Sequence, residues 1–346
     1  MAFMRSIPSL LLAIITTCAG AQNKFTQMER AVQAGQYPNV HSILVSQNGQ
    51  MVYEQYFNGF KSDSLHDTRS AFKSVTSLLA GIAIDKGLIK DVDQKVAGFF
   101  PGDTAFGSHP LKRKMSIRDL LEMRPGFDCE EWDGTRDCES DMEKARDWVS
   151  FSLALPMKNL PGTVWAYTSC APMIISGVIE KASGMTVMDF ARKYLFSKLG
   201  ITRYRWTVDP SGHGMTAGSF YISPKDMLKI GRLVLNQGEW HGEQIVSRAW
   251  IRESTHAQIL IPDGSFVKTS MSSAATPQPA YYGFQWYNEV IQTKSGSYPV
   301  IFASGNGGQY IMIVEPLKIV AVFTQGNYGK RVAKQAFDIM ARYVFP

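Results

Sequence analysis

Arg69-Ser70-Ala71-Phe72-Lys73-Ser74-Val75-Thr76-Ser77, running on to Gly81-Ile82-Ala83-Ile84-Asp85-Lys86-Gly87, is the most informative stretch of this chain. Apolar residues at Phe72, Val75, Leu78, Leu79 and Ile82 share one face at helical spacing, and Gly87 supplies a C-terminal stop. A helix is therefore expected from Ser70 to about Lys86. On it Ser70 and Lys73 stand three residues apart, so the lysine amine reaches the serine hydroxyl. An alcohol is a weak nucleophile until a neighbouring base takes its proton. Lysine serves as that base only if its pKa falls from roughly 10.4 to near neutrality, through desolvation or a positive field. The helix N-terminus would also favour negative charge developing near Ser70.

Ser-x-x-Lys recurs at Ser265-Phe266-Val267-Lys268, among Pro262, Asp263 and Gly264, where a loop or strand is expected. A second group is needed to single out the first copy. Tyr167-Thr168-Ser169 follows a Pro161-Gly162 turn and precedes an apolar helix from Pro172 to Ala182, so its side chains can be presented to a cleft. A phenol beside a lysine relays protons toward and away from a serine. Tyr-x-Ser/Asn also occurs at Tyr37, Tyr56 and Tyr221, and an aromatic packing role is the plain alternative for Tyr167 taken alone. The third stretch is Ala303-Ser304-Gly305-Asn306-Gly307-Gly308-Gln309, whose glycine-rich backbone allows close approach of a ligand and offers N–H donors to an oxyanion.

Both ends of the chain read as strands. Ile43 to Ser46 and Met51 to Phe57 flank Asn48-Gly49, the strongest short hairpin signal. Tyr310 to Val314 and Ile319 to Phe323 flank Glu315-Pro316, and a terminal helix is expected from about Val332 to Tyr343. Another helix is expected to run from the mature N-terminus toward Tyr37. Helix starts are marked at Ser116-x-x-Asp119 and at Ser223-Pro224-Lys225-Asp226. Strands at both ends with helices between them predict one antiparallel sheet assembled from both termini. Residues 22–90 and 215–346 would form the sandwich and 91–214 an inserted, mostly helical lobe.

The chain has 346 residues, 45% hydrophobic and 19% charged, with a net charge of +6. That composition is globular rather than disordered, and its scattered Lys and Arg give no nucleic-acid footprint. Arg5, the apolar run Ile7–Ile15 and Ala19-Gly20-Ala21 resemble a secretory leader cleaved after Ala21, which predicts a periplasmic or secreted protein. Cleavage before Cys18 as a lipoprotein is the alternative, although Ile15-Thr16-Thr17 fits that pattern poorly. No later stretch is long enough for a membrane span. In an oxidising compartment Cys129 and Cys138 are candidates for a disulfide, and Cys170 for a buried packing residue. The six histidines never fall at metal-ligand spacing, so no metal is expected. No Gly-x-Ser-x-Gly, GxGxxG or Walker motif occurs, so no cofactor is expected either.

Ser-x-x-Lys on a helix, Tyr-x-Ser about a hundred residues on, and a small-Ser-Gly segment before the last strands together resemble the serine β-lactamase and penicillin-binding-protein superfamily. The chain looks closest to the class C-like serine hydrolases, which include D-alanyl-D-alanine carboxypeptidases, family-VIII esterases and 6-aminohexanoate-dimer hydrolases. Ser116 to Leu121, Ser223-Pro224, Tyr282-Gly283-Phe284-Gln285-Trp286 and Gly307-Gly308-Gln309 fall in family order, over roughly residues 40 to 345. The resemblance implies an α+β fold, a three-layer α-β-α sandwich with an inserted helical lobe. It implies Ser70 as the acylated nucleophile, with Lys73 and Tyr167 handling protons. The Ser70 N–H and an N–H near Asn306 would form the oxyanion hole. Ser169, Ser304, Gly305, Asn306 and Trp286 would contact substrate. One departure is Ala303, which stands where the family's third motif carries Lys or His. Without that cation, recognition of the carboxylate of penicillins and D-alanyl peptides is weakened, which favours small esters or amides. A β-lactamase or D-alanyl-D-alanine carboxypeptidase is the alternative, and a non-catalytic member that binds cell-wall peptides is another.

The segment Asp128 to Glu143 holds eight acids against one arginine. A solvated loop is the expectation, and attraction of an amine-bearing substrate the alternative. Trp132 and Trp286 are candidates to line the cleft.

Overall fold

Asn48 and Gly49 both adopt left-handed backbone, φ 51° and 78°, the turn that joins two right-twisted strands through a two-residue loop. The strands it joins, Val40–Gln47 and Gln50–Tyr56, pair antiparallel with Gln47 opposite Gln50. The computed structural model describes residues 23–346 apart from Asp133 and Thr135. The leader, with its cleavage after Ala21 and the alternative at Cys18, lies outside the described residues, as does Asp133 of the acidic segment.

Val40–Gln47 pairs on its other side with Ile319–Gln325, placing Val45 opposite Ala321. Residues nearly three hundred positions apart therefore share one ladder. The sheet continues through Gln309–Val314, Ser297–Gly305, Tyr287–Gln292, Ala280–Tyr282 and Ile259–Leu260, eight strands with every neighbouring pair antiparallel.

Alternation along these strands separates two covered faces. Ile311 and Val320 meet the helix Pro224–Leu235 at Gly231, where an added Cβ would lie 2.7 and 2.5 Å from their methyl groups. Tyr310 and Phe302 point the other way and pack their rings against Phe337 of the C-terminal helical segment. The N-terminal helix, residues 23–33, is tied to that segment through the Lys24 ammonium, which donates to the Phe345 carbonyl at 2.7 Å. Helices thus cover both faces, and the fold is α+β with helix, sheet and helix in three layers.

The expected helix starts are built as capped ends. The Ser116 hydroxyl accepts from the Asp119 N–H, and the Asp119 carboxylate accepts in return from the Ser116 N–H, opening Ile117–Leu121. Ser223 caps Pro224–Leu235 in the same position. Cys170–Ser183 ends at Gly184 in left-handed backbone, φ 68°, and packs against the helix Phe72–Asp85.

Three elements differ from expectation. The N-terminal helix stops at residue 33 rather than near Tyr37. The C-terminal helix is three successive pieces, Arg331–Lys334, Gln335–Ile339 and Met340–Val344. Phe266–Ser270, expected as loop or strand, is a short helix. Ser265 caps it, and Glu289, remote in sequence and buried, accepts from the Phe266 and Val267 N–H groups at 2.6 and 3.1 Å. Those N–H groups would otherwise be unsatisfied in the first turn, so a tertiary partner makes this helix possible.

Candidate active site

The turn that presents Ser70 is held from both sides. His66–Asp67 forms a small sheet with Phe220–Ile222, and the Thr68 N–H and hydroxyl both donate to the Phe220 carbonyl at 2.9 Å. Arg69 then takes left-handed backbone, φ 48°, with its N–H donating to Asp67 Oδ1 at 2.9 Å. A non-glycine residue there costs about 1–2 kcal/mol, and the Asp67 bond offsets part of that. One tight turn, Arg69–Ala71, leads directly into Phe72–Asp85. Ser70 is left half-buried at the junction.

Lys73, one turn further on, is only 1% exposed. Its Nζ donates to Ser70 Oγ at 3.0 Å, Ser169 Oγ at 3.1 Å and the Ala217 carbonyl at 2.8 Å. Three acceptors match the three protons of an ammonium. Nζ also lies 4.9 Å from the centre of the Tyr167 ring. Burial by itself would lower the lysine pKa, but Tyr167, Glu139 and Glu131 outweigh it and hold the group above its ordinary range. Here the sequence expectation is corrected. Lys73 does not become a neutral base through burial, because acids from a distant segment compensate its charge.

Those acids come from the segment expected to be a solvated loop. Glu131 accepts from the Ser169 N–H at 2.9 and 3.0 Å and from the Ser169 hydroxyl at 2.8 Å. Glu139 approaches the same hydroxyl at 3.2 Å. Glu130 accepts from the Tyr167 N–H at 3.1 Å. Burial pushes the Glu131 carboxyl up to about 7, against the pull of Lys73 and the Ser169 donors. A disulfide joins Cys129 to Cys138 and brings Glu131 and Glu139 to one hydroxyl. Cys170 is buried, and burial pushes its thiol up to about 12, an unreactive range.

The third sequence stretch ends against the same turn. A Cβ placed on Gly305 would lie 2.1 Å from the Thr68 carbonyl oxygen and 3.2 Å from the Ala71 nitrogen. Only a glycine lets the end of Ser297–Gly305 approach the Ser70 turn so closely. Ser304 is enclosed beside it, while Asn306 is exposed and its Oδ1 accepts from the Gly329 N–H at 2.9 Å. Ala303 is fully buried.

Two expected substrate contacts are placed elsewhere. Ser169 is wholly enclosed, its hydroxyl occupied by Lys73 and the two glutamates. Trp286 is also wholly enclosed. Its neighbour Gln285 anchors the segment, accepting from the Ser74 hydroxyl at 2.6 Å and donating to the Leu121 carbonyl at 3.0 Å. Trp132 does present a face to solvent, with its ring edge-on to Tyr167, Trp165 and Phe266. Sequence reasoning missed Glu131 and Glu139 as members of this group. The signal available was Glu131's position between two cysteines and Glu139's place directly after the second.

Two sets of atoms have metal-ligand proximity. In Cys129, Glu131 and Cys138 both sulfurs are committed to the disulfide. In Asp147, Asp209 and His213 the carboxylates accept backbone N–H groups, and the His213 ring is 2.6 Å from Glu180. A groove of about 990 Å3 lined by Phe99, Asp147, Glu180 and His213 is separate from the Ser70 group. Among the described residues no helix is long and apolar enough to cross a membrane.

The beta-lactamase family model matches residues 25–344. A 6-aminohexanoate-dimer hydrolase of Paenarthrobacter ureafaciens is 25% identical over 225 residues, covering 61% of this chain and 55% of that protein. A penicillin-binding protein of Bacillus subtilis (strain 168) is 22% identical over 299 residues, covering 78% and 63%. The chain thus spans only about half to two-thirds of the length of these relatives. Among solved structures, EstCE1, a hydrolase with promiscuous acyltransferase activity, superposes with a TM-score of 0.70 at 14% identity, covering 95% of this chain and all of that one.

Proposed function

The chain belongs to the beta-lactamase family, and from that premise we propose that it is a serine hydrolase cleaving a small ester or amide through an acyl-enzyme on Ser70. The observation that carries this reading is the 3.0 Å hydrogen bond between a buried Lys73 and Ser70, with Tyr167 beside the lysine. In the reaction Ser70 Oγ bonds to the substrate carbonyl carbon and gives up its proton to the Lys73–Tyr167 pair, once Lys73 has passed on a proton of its own. Backbone N–H groups of Ser70 and of the strand end near Asn306 steady the oxyanion. The pair returns a proton to the leaving oxygen or nitrogen as its bond to carbon breaks. Water then attacks the acyl-enzyme, and Ser70 recovers its proton.

The buried Ala303 supports a substrate without the carboxylate that a lysine or histidine would bind there. The name of the Paenarthrobacter relative points to amide hydrolysis and the description of EstCE1 to hydrolysis and acyl transfer. Likeness to a penicillin-binding protein keeps a β-lactam or D-alanyl peptide as the second reading, which nitrocefin turnover would favour. Export to the periplasm or medium belongs to the same proposal, and a Cys129–Cys138 bond suits an oxidising compartment.

Ser70→Ala is expected to abolish both p-nitrophenyl ester turnover and the acyl adduct seen by intact-protein mass spectrometry. Lys73→Ala and Tyr167→Phe are expected to cost on the order of 10²–10⁴-fold in kcat/KM. Turnover retained by Ser70→Ala would reject the nucleophile. No adduct across esters, amides and penicillins would favour a binding protein instead.

A further inference from the structure

We propose that Glu131 is a positioning residue that accepts a proton from Lys73 through Ser169, so that the Ser70 proton departs along the line Ser70–Lys73–Ser169–Glu131. The inference rests on the reading of Ser70 as nucleophile. Its geometry is continuous: Oγ of Ser70 to Nζ is 3.0 Å, Nζ to Oγ of Ser169 is 3.1 Å, and that oxygen to Oε2 of Glu131 is 2.8 Å. A hydroxyl accepts and donates at once, which is what a relay requires. Lys73 and Ser169 are both shut off from bulk solvent, and the Ser169 hydroxyl is placed to take a proton leaving Nζ on that side.

The step balances. One proton passes from Nζ to Ser169 Oγ while the Ser169 hydroxyl proton passes to Glu131 Oε2, turning an ammonium–carboxylate pair into an amine and a carboxylic acid. The amine then takes the Ser70 proton as Oγ bonds to the acyl carbon. Burial penalises the charged pair and narrows its gap to the neutral one. Part of what keeps Lys73 protonated is the charge on Glu131 itself, and that part vanishes once Glu131 is protonated. Glu131 is preferred over Glu139 because it makes the shorter bond to Ser169 and also takes its N–H.

Among the described residues, several charged and titratable groups face this line. Tyr167 and Glu139 act on Lys73, and Glu139 also opposes charge on Glu131. The charge of Glu131 acts on Cys170 and that of Glu139 on Glu143 and Asp67, both of which Arg69 also attracts. With the Glu131 carboxyl at about 7, lower pH fills the acceptor in advance. Acylation should therefore fall as pH drops through that value.

The test is the pH profile of kcat/KM for a p-nitrophenyl ester in wild type, Glu131→Gln, Glu131→Asp and Ser169→Ala. Glu131→Gln keeps the shape and is expected to lose on the order of 10²-fold at about pH 8, where wild type shows its full rate, with the acid limb near neutrality abolished. Ser169→Ala should do the same, and Glu131→Asp should restore the limb. A limb that persists in Glu131→Gln, whether the rate falls uniformly or stays at the wild-type value, would overturn the relay. Should the variants not fold, carbon-13 carboxyl NMR of wild type decides. Glu131 is expected to titrate near 7 with the Lys73 nitrogen-15 signal following it. An ordinary carboxylate titration, or an unresponsive lysine, would sink the proposal. Failure of Ser70 to acylate is a separate result, since the NMR titration needs no turnover.

Discussion

His41 and His66 show how burial sets the charge of single side chains. The His41 ring stacks on Phe60 at 3.8 Å between centroids and the His66 ring lies tilted against it at 5.0 Å, and among the described residues His41 Nδ1 and His66 Nε2 are buried without hydrogen-bond partners. Burial lowers each from 6.5 to about 4, with His41 contributing to the lowering of His66. The unfolded chain therefore binds more protons between those values. Stability contributed by keeping these rings neutral is complete above 6.5 and lost as pH falls toward 4. Glu131 acts in the opposite sense, because its raised carboxyl loses stabilisation as pH rises from 4.5 to about 7. His66→Phe keeps the aromatic stack and removes one buried unpaired nitrogen. The expected outcome is a shallower loss of urea midpoint on acidification than in wild type, while the Glu131 contribution stays common to both. An unchanged slope would reject the account.

Docking of the strand Ser297–Gly305 onto the Ser70 turn depends on one missing methyl group. Gly305→Ala would press a Cβ into the Thr68 carbonyl, a backbone atom that cannot rotate away. We expect a loss of about 1–3 kcal/mol in stability and a marked fall in kcat, because the turn that aims Ser70 must shift. Gly102→Ala is the control, since nothing lies within 4 Å of its added Cβ. Thermal melts and ester kinetics on both variants check this. Equal behaviour of the two would show that the strand end has slack.

Across the whole molecule, the site is assembled from the nucleophile helix, the acidic segment, the Tyr167 turn and the strand end. The Cys129–Cys138 bond closes a short loop, and such a constraint on the unfolded chain is worth about 2–3 kcal/mol. It also holds Glu131 and Glu139 within reach of Ser169. Replacing both cysteines by serine is expected to lower the thermal midpoint and to shift the acid limb of activity. Reductant should then have no further effect on the variant, whereas it should lower the wild-type midpoint.

Local order was legible in the sequence because it depends on neighbours. The Asn48-Gly49 hairpin, the Ser116–Asp119 and Ser223–Asp226 caps, the Gly184 stop and the Ser70–Lys73 spacing each involve residues at most a few positions apart, where period and turn chemistry speak directly. Contacts across long separations were not. Glu289 turned an expected loop at 266–270 into a helix, Gln285 drew Trp286 inside, and Glu131 and Glu139 turned inward onto Ser169 while Asp128, Asp137, Asp141 and Glu143 of the same segment face water. The charge of Lys73 was decided only there. A pKa depends on burial and on charges within a few ångströms, and those neighbours come from Glu131, Glu139 and Tyr167, brought together by tertiary packing alone.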